Sequence, residues 1–333
     1  MTTPPPRAVD WWPVHQTIGR TVEFIVRPTV CEALDGFIFP LACQAIPRLC
    51  ERLGMECNLT EAMSPPGTTK EALASLNKER ERTLDELVSK HGVSTWDVYD
   101  ESGIGRERTE IAREFVRARS SVLDVATGRG YFAFACARNG CRVTAVDLMD
   151  GSERVGWWEV FLGSSSRLGL GHKVGAIRSD ASSLPVMARR FEVVGCIHAI
   201  RNFLGHDNLK GIAAEMKRAA AKGGKAVLAE SSTESESPEE EVYLACLKLR
   251  VAIGWEAPLP NTDELERLLE GAGFSKIVST KRRFSRDYAP VEFPPFAISG
   301  QPPRIRREHE RIEKLRSRNG IKPTPVTIVS AGV

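Results

Sequence analysis

The sequence predicts an α/β fold built on a doubly wound, mainly parallel sheet. From Ser121 onward, short β-branched runs alternate with helical segments, a pattern typical of parallel strands joined by crossover helices. A glycine-bearing turn directly follows the first of these runs. Such a turn joins the first strand to the first helix in sheets that bind nucleotide-like ligands.

The alternation defines each predicted element. The strands are predicted at 121–126, 142–146, 174–179, 191–198, 225–230, 275–280 and 324–330. Helices are predicted at 69–90 and 105–117 before the first strand, and at 130–139, 153–168, 183–189 and 207–221 between strands. A further helix is predicted to begin at Asn261–Asp263, where three polar residues can cap its first turn.

Changes in composition along the chain divide it into three parts. Residues 1–13 form a proline-rich, flexible lead, and residues 14–95 form a helical region that we expect to act as a substrate lid. Residues 96–333 form the ligand-binding domain, with a basic insert at 281–322. Within the helical region, prolines are predicted to separate several short helices, at Pro28, Pro40 and Pro47.

The overall composition is that of a globular protein, with 42% hydrophobic and 27% charged residues among 333. No segment approaches the roughly 18 uninterrupted apolar residues of a membrane span, and the first residues lack a secretion signal, so we expect a cytoplasmic protein without integral membrane association. None of the 8 cysteines belongs to a CxxC pair, so no metal site is predicted.

The glycine turn is the main candidate for ligand binding. The run VLDVATGRGY at 122–131 places an apolar strand before the turn and a helix after it. Glycine lets the backbone approach a ligand closely, and the N–H groups of the helix start point toward it. The predicted cofactor-binding residues of this turn are Asp124, Ala126, Thr127, Gly128 and Gly130.

Later strand ends carry further candidate residues. Asp147 ends the second strand, before Leu148, and an acid at that point accepts hydrogen bonds from ribose hydroxyls. Asp180 ends the third strand and can accept a bond from an adenine amino group, while Ala181 leaves room for the ring. Taken alone, each acid could be a solvated strand end or a helix cap, but their order after a glycine turn favours ligand contacts.

Together these runs resemble the ordered motifs of the class I S-adenosylmethionine-dependent methyltransferases. The resemblance rests on LDVATGRG, AVDL, SDASSLP, FEVVGCIHAIRNF and KGGKAVLAE, and it covers residues 96–280 and the final strand. It implies a Rossmann-like sheet of seven strands with the last inserted antiparallel, and S-adenosyl-L-methionine as cofactor. It also implies that Asp124, Gly128 and Gly130 shape the methionine side of the pocket. Ala126 stands where the family usually has its first glycine.

A narrower resemblance links the chain to the ubiquinone/menaquinone C-methyltransferases. Those enzymes carry an Arg-Asn pair after the fourth strand, matched here by Arg201 and Asn202 in IHAIRNFLGHDNL. The first hundred residues do not match them, so a quinone acceptor is one hypothesis among several.

Two histidines are candidate catalytic groups. His198 and His206 lie at or just past the end of the fourth strand, near the expected acceptor, and His198 is also a candidate cofactor contact. Methyl transfer from a sulfonium depends on alignment, and a base is needed only if the acceptor must lose a proton. A structural or exposed role is the alternative for each histidine.

Three functions remain compatible with the sequence. The first is C- or O-methylation of a small-molecule acceptor that is apolar or aromatic. The second is RNA methylation, with the basic insert gripping phosphates. The same insert could instead be a solvated helix with internal ion pairs. The third is a nicotinamide-dependent oxidoreductase, since dinucleotide folds share the glycine turn and the acidic strand end. The sequence does not specify an oligomeric state.

Overall fold

A computed structural model describes residues 29–59, 70–148, 157–204, 208–254, 257–284, 298 and 300–333. Its centre is a seven-stranded sheet with the strand order β3-β2-β1-β4-β5-β7-β6. The strands are β1 Ser121–Val125, β2 Arg142–Asp147, β3 Val174–Arg178, β4 Phe191–Ile197, β5 Ala220–Ser231, β6 Ser275–Arg282 and β7 Val326–Gly332. The first five run parallel, and β7 lies antiparallel between β5 and β6. The predicted fold class is therefore confirmed.

Helices cover both faces of this sheet. Before the sheet come α1 Thr29–Arg52, α2 Lys70–His91, α3 Thr95–Glu101 and α4 Gly103–Phe115. Between and after the strands come α5 Tyr131–Arg138, α6 Trp157–Arg167, α7 Leu209–Ala219, α8 Pro238–Ala252, α9 Thr262–Gly271 and α10 Pro303–Asn319. A short 3-10 helix, Ile200–Phe203, follows β4. Helices α3 and α8 are additions to the elements that the sequence predicts.

Alternate residues of each strand enter two different cores. Val122 and Val143 pack in the first core, which also contains side chains of α1, α4 and α5. Leu123 and Val194 pack on the opposite face with α7 and α9. This division follows from the two-residue repeat of a strand, which points neighbouring side chains to opposite faces. The sheet is thus buried on both sides, and its carboxyl edge is left for ligands.

The prediction of short helices separated by prolines was wrong. Helix α1 runs without a break from Thr29 to Arg52 and passes through Pro40 and Pro47. Each interior proline removes a helical hydrogen bond, at about 3 kcal/mol. Leu41, Ile46 and Leu49 are fully buried in the first core, and their packing offsets that loss. Pro28 and the predicted flexible lead at 1–13 fall outside the described residues.

The predicted helix at 183–189 was also wrong, because this segment forms turns. Side chains of α7 bind its backbone groups: Arg218 donates to the carbonyls of Leu184 and Val186, both at 2.8 Å. The Leu184 N–H donates to Glu215 Oε2 at 2.8 Å. Pro185 follows Leu184, and a residue before proline is disfavoured in the helical region. These backbone N–H and carbonyl groups therefore have hydrogen-bond partners without forming a helix.

Several cations in the described part of the basic insert form ion pairs. At its start, Arg282 binds Glu114 and Arg283 binds Glu236, each at 2.6 Å. Within α10, Arg311 binds Glu308 at 2.6 Å, and Ile312 packs against α8. Within α10, Arg316 also pairs with Glu313, at 3.8 Å, so the helix contains the internal ion pairs of the solvated-helix interpretation. In the described ranges, no helix is long and apolar enough to cross a membrane.

Candidate active site

A cleft opens at the carboxyl edge of the parallel strands. It consists of two adjoining cavities of about 330 Å³ each, and both are lined by Ala126, Asp147 and Asn202. The first cavity is completed by Arg108, Asp124, Thr127, Gly128, Tyr131, Phe132, Ile197, His198 and Ala199. The second is completed by Leu148, Ser179, Asp180, Ala181, Phe203 and Asn208. Cavities of this size are typical of small-molecule and cofactor sites.

The turn after β1 is held by its own polar groups. Thr127 Oγ donates to Asp124 Oδ2 at 2.6 Å, and the Thr127 N–H donates to the Val146 carbonyl at 3.1 Å. The Gly130 N–H closes the turn on the Thr127 carbonyl at 2.9 Å. These bonds link β1, β2 and the start of α5, so the turn presents its backbone to the cleft as a rigid unit.

The backbone of Ala126 is strained. Its φ is 55°, in the left-handed region that favours glycine. A residue with a Cβ loses roughly 1–2 kcal/mol there relative to the right-handed region. Ala126 replaces the glycine that is usual in the family, and its backbone still adopts the left-handed conformation of that glycine.

Gly130 lies beneath the cleft, among side chains of the first core. It has a φ of 83°, precedes α5 and is buried. A Cβ built on it would lie 2.5 Å from Phe161 and 2.7 Å from Phe134. Its described surroundings therefore indicate a packing role, whereas Gly128 faces open space.

We predict that Gly130→Ala lowers the free energy of unfolding by about 2–5 kcal/mol, through overpacking and left-handed strain together. The matched control is Gly128→Ala, which shares the positive φ but meets no atom within 4 Å. It should lose only about 1–2 kcal/mol. Denaturant unfolding of both variants measures the difference, and equal losses would contradict the packing role.

Two acids at strand ends are fixed by hydrogen bonds. Asp147 Oδ2 accepts from the Gly128 N–H at 2.8 Å, which ties the end of β2 to the glycine turn. Asp180 Oδ1 accepts from both the N–H and the hydroxyl of Ser182, each at 2.7 Å. These bonds hold the pKa of Asp180 below its usual value. Both carboxylates are thus oriented before any ligand arrives.

Asp124 differs because it is almost fully buried, with 2% of its surface exposed. Burial raises the pKa of its carboxyl to about 7, while the hydrogen bond from Thr127 opposes the rise and the charge of Asp147 adds to it. A positive charge in the cleft would favour its ionised form.

His198 sits between two buried carboxylates at the end of β4. Its Nε2 lies 2.7 Å from Glu107 Oε1, and its Nδ1 lies 3.7 Å from Glu230 Oε2. Glu107 belongs to α4 and Glu230 to β5, and they are 1% and 0% exposed. His198 itself has a φ of 54°, a strained conformation that is concentrated at functional sites. The other predicted base, His206, falls outside the described residues.

Neighbouring arginines balance the two carboxylates. Glu107 forms an ion pair with Arg108, and Glu230 Oε1 accepts a hydrogen bond from the backbone N–H of Arg201 at 3.2 Å. Burial raises the pKa of Glu230, but its contacts with His198 and Arg201 outweigh burial and hold that pKa below the usual value. Glu230 is therefore ionised at neutral pH.

Comparison with known proteins decides the family. The family model described as a methyltransferase domain matches residues 98–279, more than half of the chain. The chain belongs to this methyltransferase family. Together with the class I motif order, this membership identifies it as a methyltransferase that uses S-adenosylmethionine, and not as a nicotinamide-dependent oxidoreductase.

Solved structures similar to this methyltransferase are distant in sequence. One is a putative methyltransferase from Bacillus halodurans, at 21% identity, with a TM-score of 0.45, covering 68% of this chain and 96% of that one. Another is a SAM-dependent methyltransferase from Aquifex aeolicus, at 13% identity, with a TM-score of 0.44, covering 68% and 89%. None of the curated proteins matches the sequence significantly.

The residues of this methyltransferase fit its cofactor. The two cavities meet at Ala126 and Asp147, and the positive-φ Gly128 leaves open space in the first of them. The exposed Leu148 and the small Ala181 line the far end, as a flat apolar ring requires. Nine of the ten predicted cofactor contacts line the cleft, and Gly130 is the exception.

Proposed function

We propose that this enzyme methylates an oxygen or carbon of a small, apolar or aromatic acceptor and that His198 acts as its general base. One observation carries the proposal: a histidine ring lines the cofactor cleft and is held by a 2.7 Å bond to a buried carboxylate. A positioned base contributes only if the acceptor must lose a proton, as hydroxyl and activated carbon acceptors do.

We assign the cofactor contacts by the geometry of the cleft. Asp147 would accept from the ribose hydroxyls, and Asp180 with Ala181 would hold the adenine. Asp124 and Gly128 would lie toward the methionine end, next to His198. When bound, S-adenosylmethionine supplies an electrophilic methyl group on a positively charged sulfur. The nearby carboxylates of Asp124 and Asp147 favour that charge.

The proton route follows from the two ring nitrogens of His198. In the tautomer that can act as a base, Nε2 would donate to Glu107 across the 2.7 Å contact and Nδ1 would carry no proton. Nδ1, which lies 3.7 Å from Glu230 Oε2, would then accept the proton of an acceptor hydroxyl or carbon acid. The resulting imidazolium then lies between Glu107 and Glu230, and both stabilise it.

The deprotonated acceptor oxygen or carbon would bond to the methyl group that bound S-adenosylmethionine supplies, and sulfur would keep the electron pair of the cleaved carbon–sulfur bond. His198 would retain the proton. The chain contributes alignment, because Tyr131 and Phe132 line the same cavity as His198 and limit where an aromatic acceptor can lie. The predicted lid at 14–95 would complete this enclosure, and its residues 14–28 and 60–69 fall outside the described structure.

An acceptor panel tests the proposal. With methyl-labelled S-adenosylmethionine, the full chain should label hydroxyarenes and quinol-like arenes. It should not label their fully O-methylated analogues, which lack a removable hydroxyl proton. The same assay should show no label on RNA. Transfer to RNA, with none to the arenes, would overturn the proposed acceptor class while leaving the methyltransferase intact.

A further inference from the structure

A third cavity, of about 250 Å³, is lined by Arg201, which follows β4, and by Thr233, which follows β5, so it lies at the carboxyl end of these two strands. Its walls are mostly apolar and come from α8 and the segment after it: Leu244, Leu247, Val251, Ala257, Pro258 and Leu259. Leu244, Leu247 and Ala257 are buried, and Leu247 also belongs to the core between α8 and α10. Part of the cavity wall therefore belongs to the packed interior.

Two cations line the same cavity. Lys248 contributes from the exposed side of α8, and Arg201 contributes from the short 3-10 helix after β4. The third polar member is Thr233, and no acidic side chain is among the described lining residues. An apolar wall with a cationic rim suits a ligand that has an apolar body and a carboxylate or similar oxyanion.

The position of Arg201 connects this cavity to the reacting centre. Its neighbour in the chain, Asn202, lines both halves of the cofactor cleft, and consecutive Cα atoms are about 3.8 Å apart. The Arg201 N–H binds Glu230, whose other oxygen faces His198 Nδ1. The third cavity and the cofactor cleft thus both lie at the carboxyl end of β4, with Arg201 lining one and Asn202 lining the other.

We propose that this cavity, lined by Arg201 and Lys248, binds the apolar body and anionic group of the methyl acceptor. The acceptor is then an amphipathic organic anion, such as an aromatic carboxylate that also bears the nucleophilic hydroxyl or carbon. This inference rests on the proposed function and narrows its acceptor class. Arg201 and Lys248 would determine specificity, while His198 would perform the proton transfer.

Binding of 2-naphthoate to the full chain, compared with the uncharged 2-naphthamide, tests the inference by calorimetry. The carboxylate should bind about tenfold more tightly than the amide, since charge-assisted hydrogen bonds are worth more than neutral ones. Lys248→Gln should remove much of that preference, and Val251→Trp should fill the cavity and abolish binding. The matched control is Lys222→Gln. Lys222 is exposed and lies near the start of β5, at the end of the strand away from the cavity, so this variant should bind 2-naphthoate as the parent protein does.

Equal affinity for the acid and the amide in the parent protein would overturn the inference without relying on any variant. So would competition between 2-naphthoate and S-adenosylhomocysteine, because acceptor and cofactor must bind together. In the acceptor panel, Lys248→Gln should raise KM for carboxylate-bearing hydroxyarenes and not for uncharged ones. Failure of S-adenosylhomocysteine itself to bind would instead count against the proposed function, and the two failures are therefore distinguishable.

Discussion

Replacing His198 with asparagine is expected to lower kcat/KM by about 10²–10⁴-fold, the usual contribution of a positioned base. Asparagine is the informative substitution because it tolerates the left-handed backbone that His198 adopts at a φ of 54°. The fold should therefore persist, and the loss should lie in proton transfer. The acidic limb of the pH–rate profile, where protonation of the base lowers the rate, should disappear with it.

Glu107→Gln is the companion variant for this prediction. Glutamine keeps an acceptor for His198 Nε2 but removes the charge that stabilises the imidazolium, so a smaller loss is expected. Because Glu107 acts through His198, the double variant should be hardly slower than His198→Asn alone. The control is His172→Asn, an exposed histidine far from the cleft in sequence. A rate near the parent value for His198→Asn would contradict the role of the base.

Replacing Asp147 with alanine should weaken S-adenosylhomocysteine binding by about 1–3 kcal/mol, or roughly 5–150-fold in Kd. The reason is twofold: the ribose would lose its acceptor, and the Gly128 N–H would lose the carboxylate that now binds it at 2.8 Å. Calorimetric titration measures the change.

Asp147→Asn separates these two effects. Asparagine retains an oxygen for the Gly128 N–H, so it should preserve the turn and lose only part of the affinity. The control is Asp263→Ala, which removes an exposed acid at the start of α9. This variant should bind S-adenosylhomocysteine as the parent protein does. Unchanged affinity in Asp147→Ala would remove the ribose assignment.

Much of the fold could be predicted because local pattern and global topology agree. Alternating β-branched runs and helical segments place each strand of the sheet to within a few residues, apart from the longer start of β5 at Ala220. The predictions failed where distant contacts override local preference. Helix α1 tolerates Pro40 and Pro47 because its apolar face is buried, and the turns at 183–189 depend on Arg218 and Glu215, some 30 residues away.

The same limit applies to the site. The residues of the glycine turn and the strand ends follow one another in a recognisable order, so the cleft around Asp147 could be anticipated from the sequence. Glu107 could not, because it lies 91 positions before His198 on a helix of ordinary charged pattern. Glu230 could have been predicted as a site residue. It ends the motif KGGKAVLAE, and that motif places it at the carboxyl end of a strand, where ligands bind in this type of sheet.

The most direct test of the central claim is a calorimetric titration of the full chain with S-adenosylhomocysteine, with NADH titrated in parallel. Saturable binding of S-adenosylhomocysteine without binding of NADH is the predicted result, because we propose that Asp147 and Asp180 hold the ribose and the adenine beside a turn that holds the methionine end. Binding of NADH alone would contradict the account, since the glycine turn would then serve a dinucleotide and His198 would have no methyl acceptor to deprotonate.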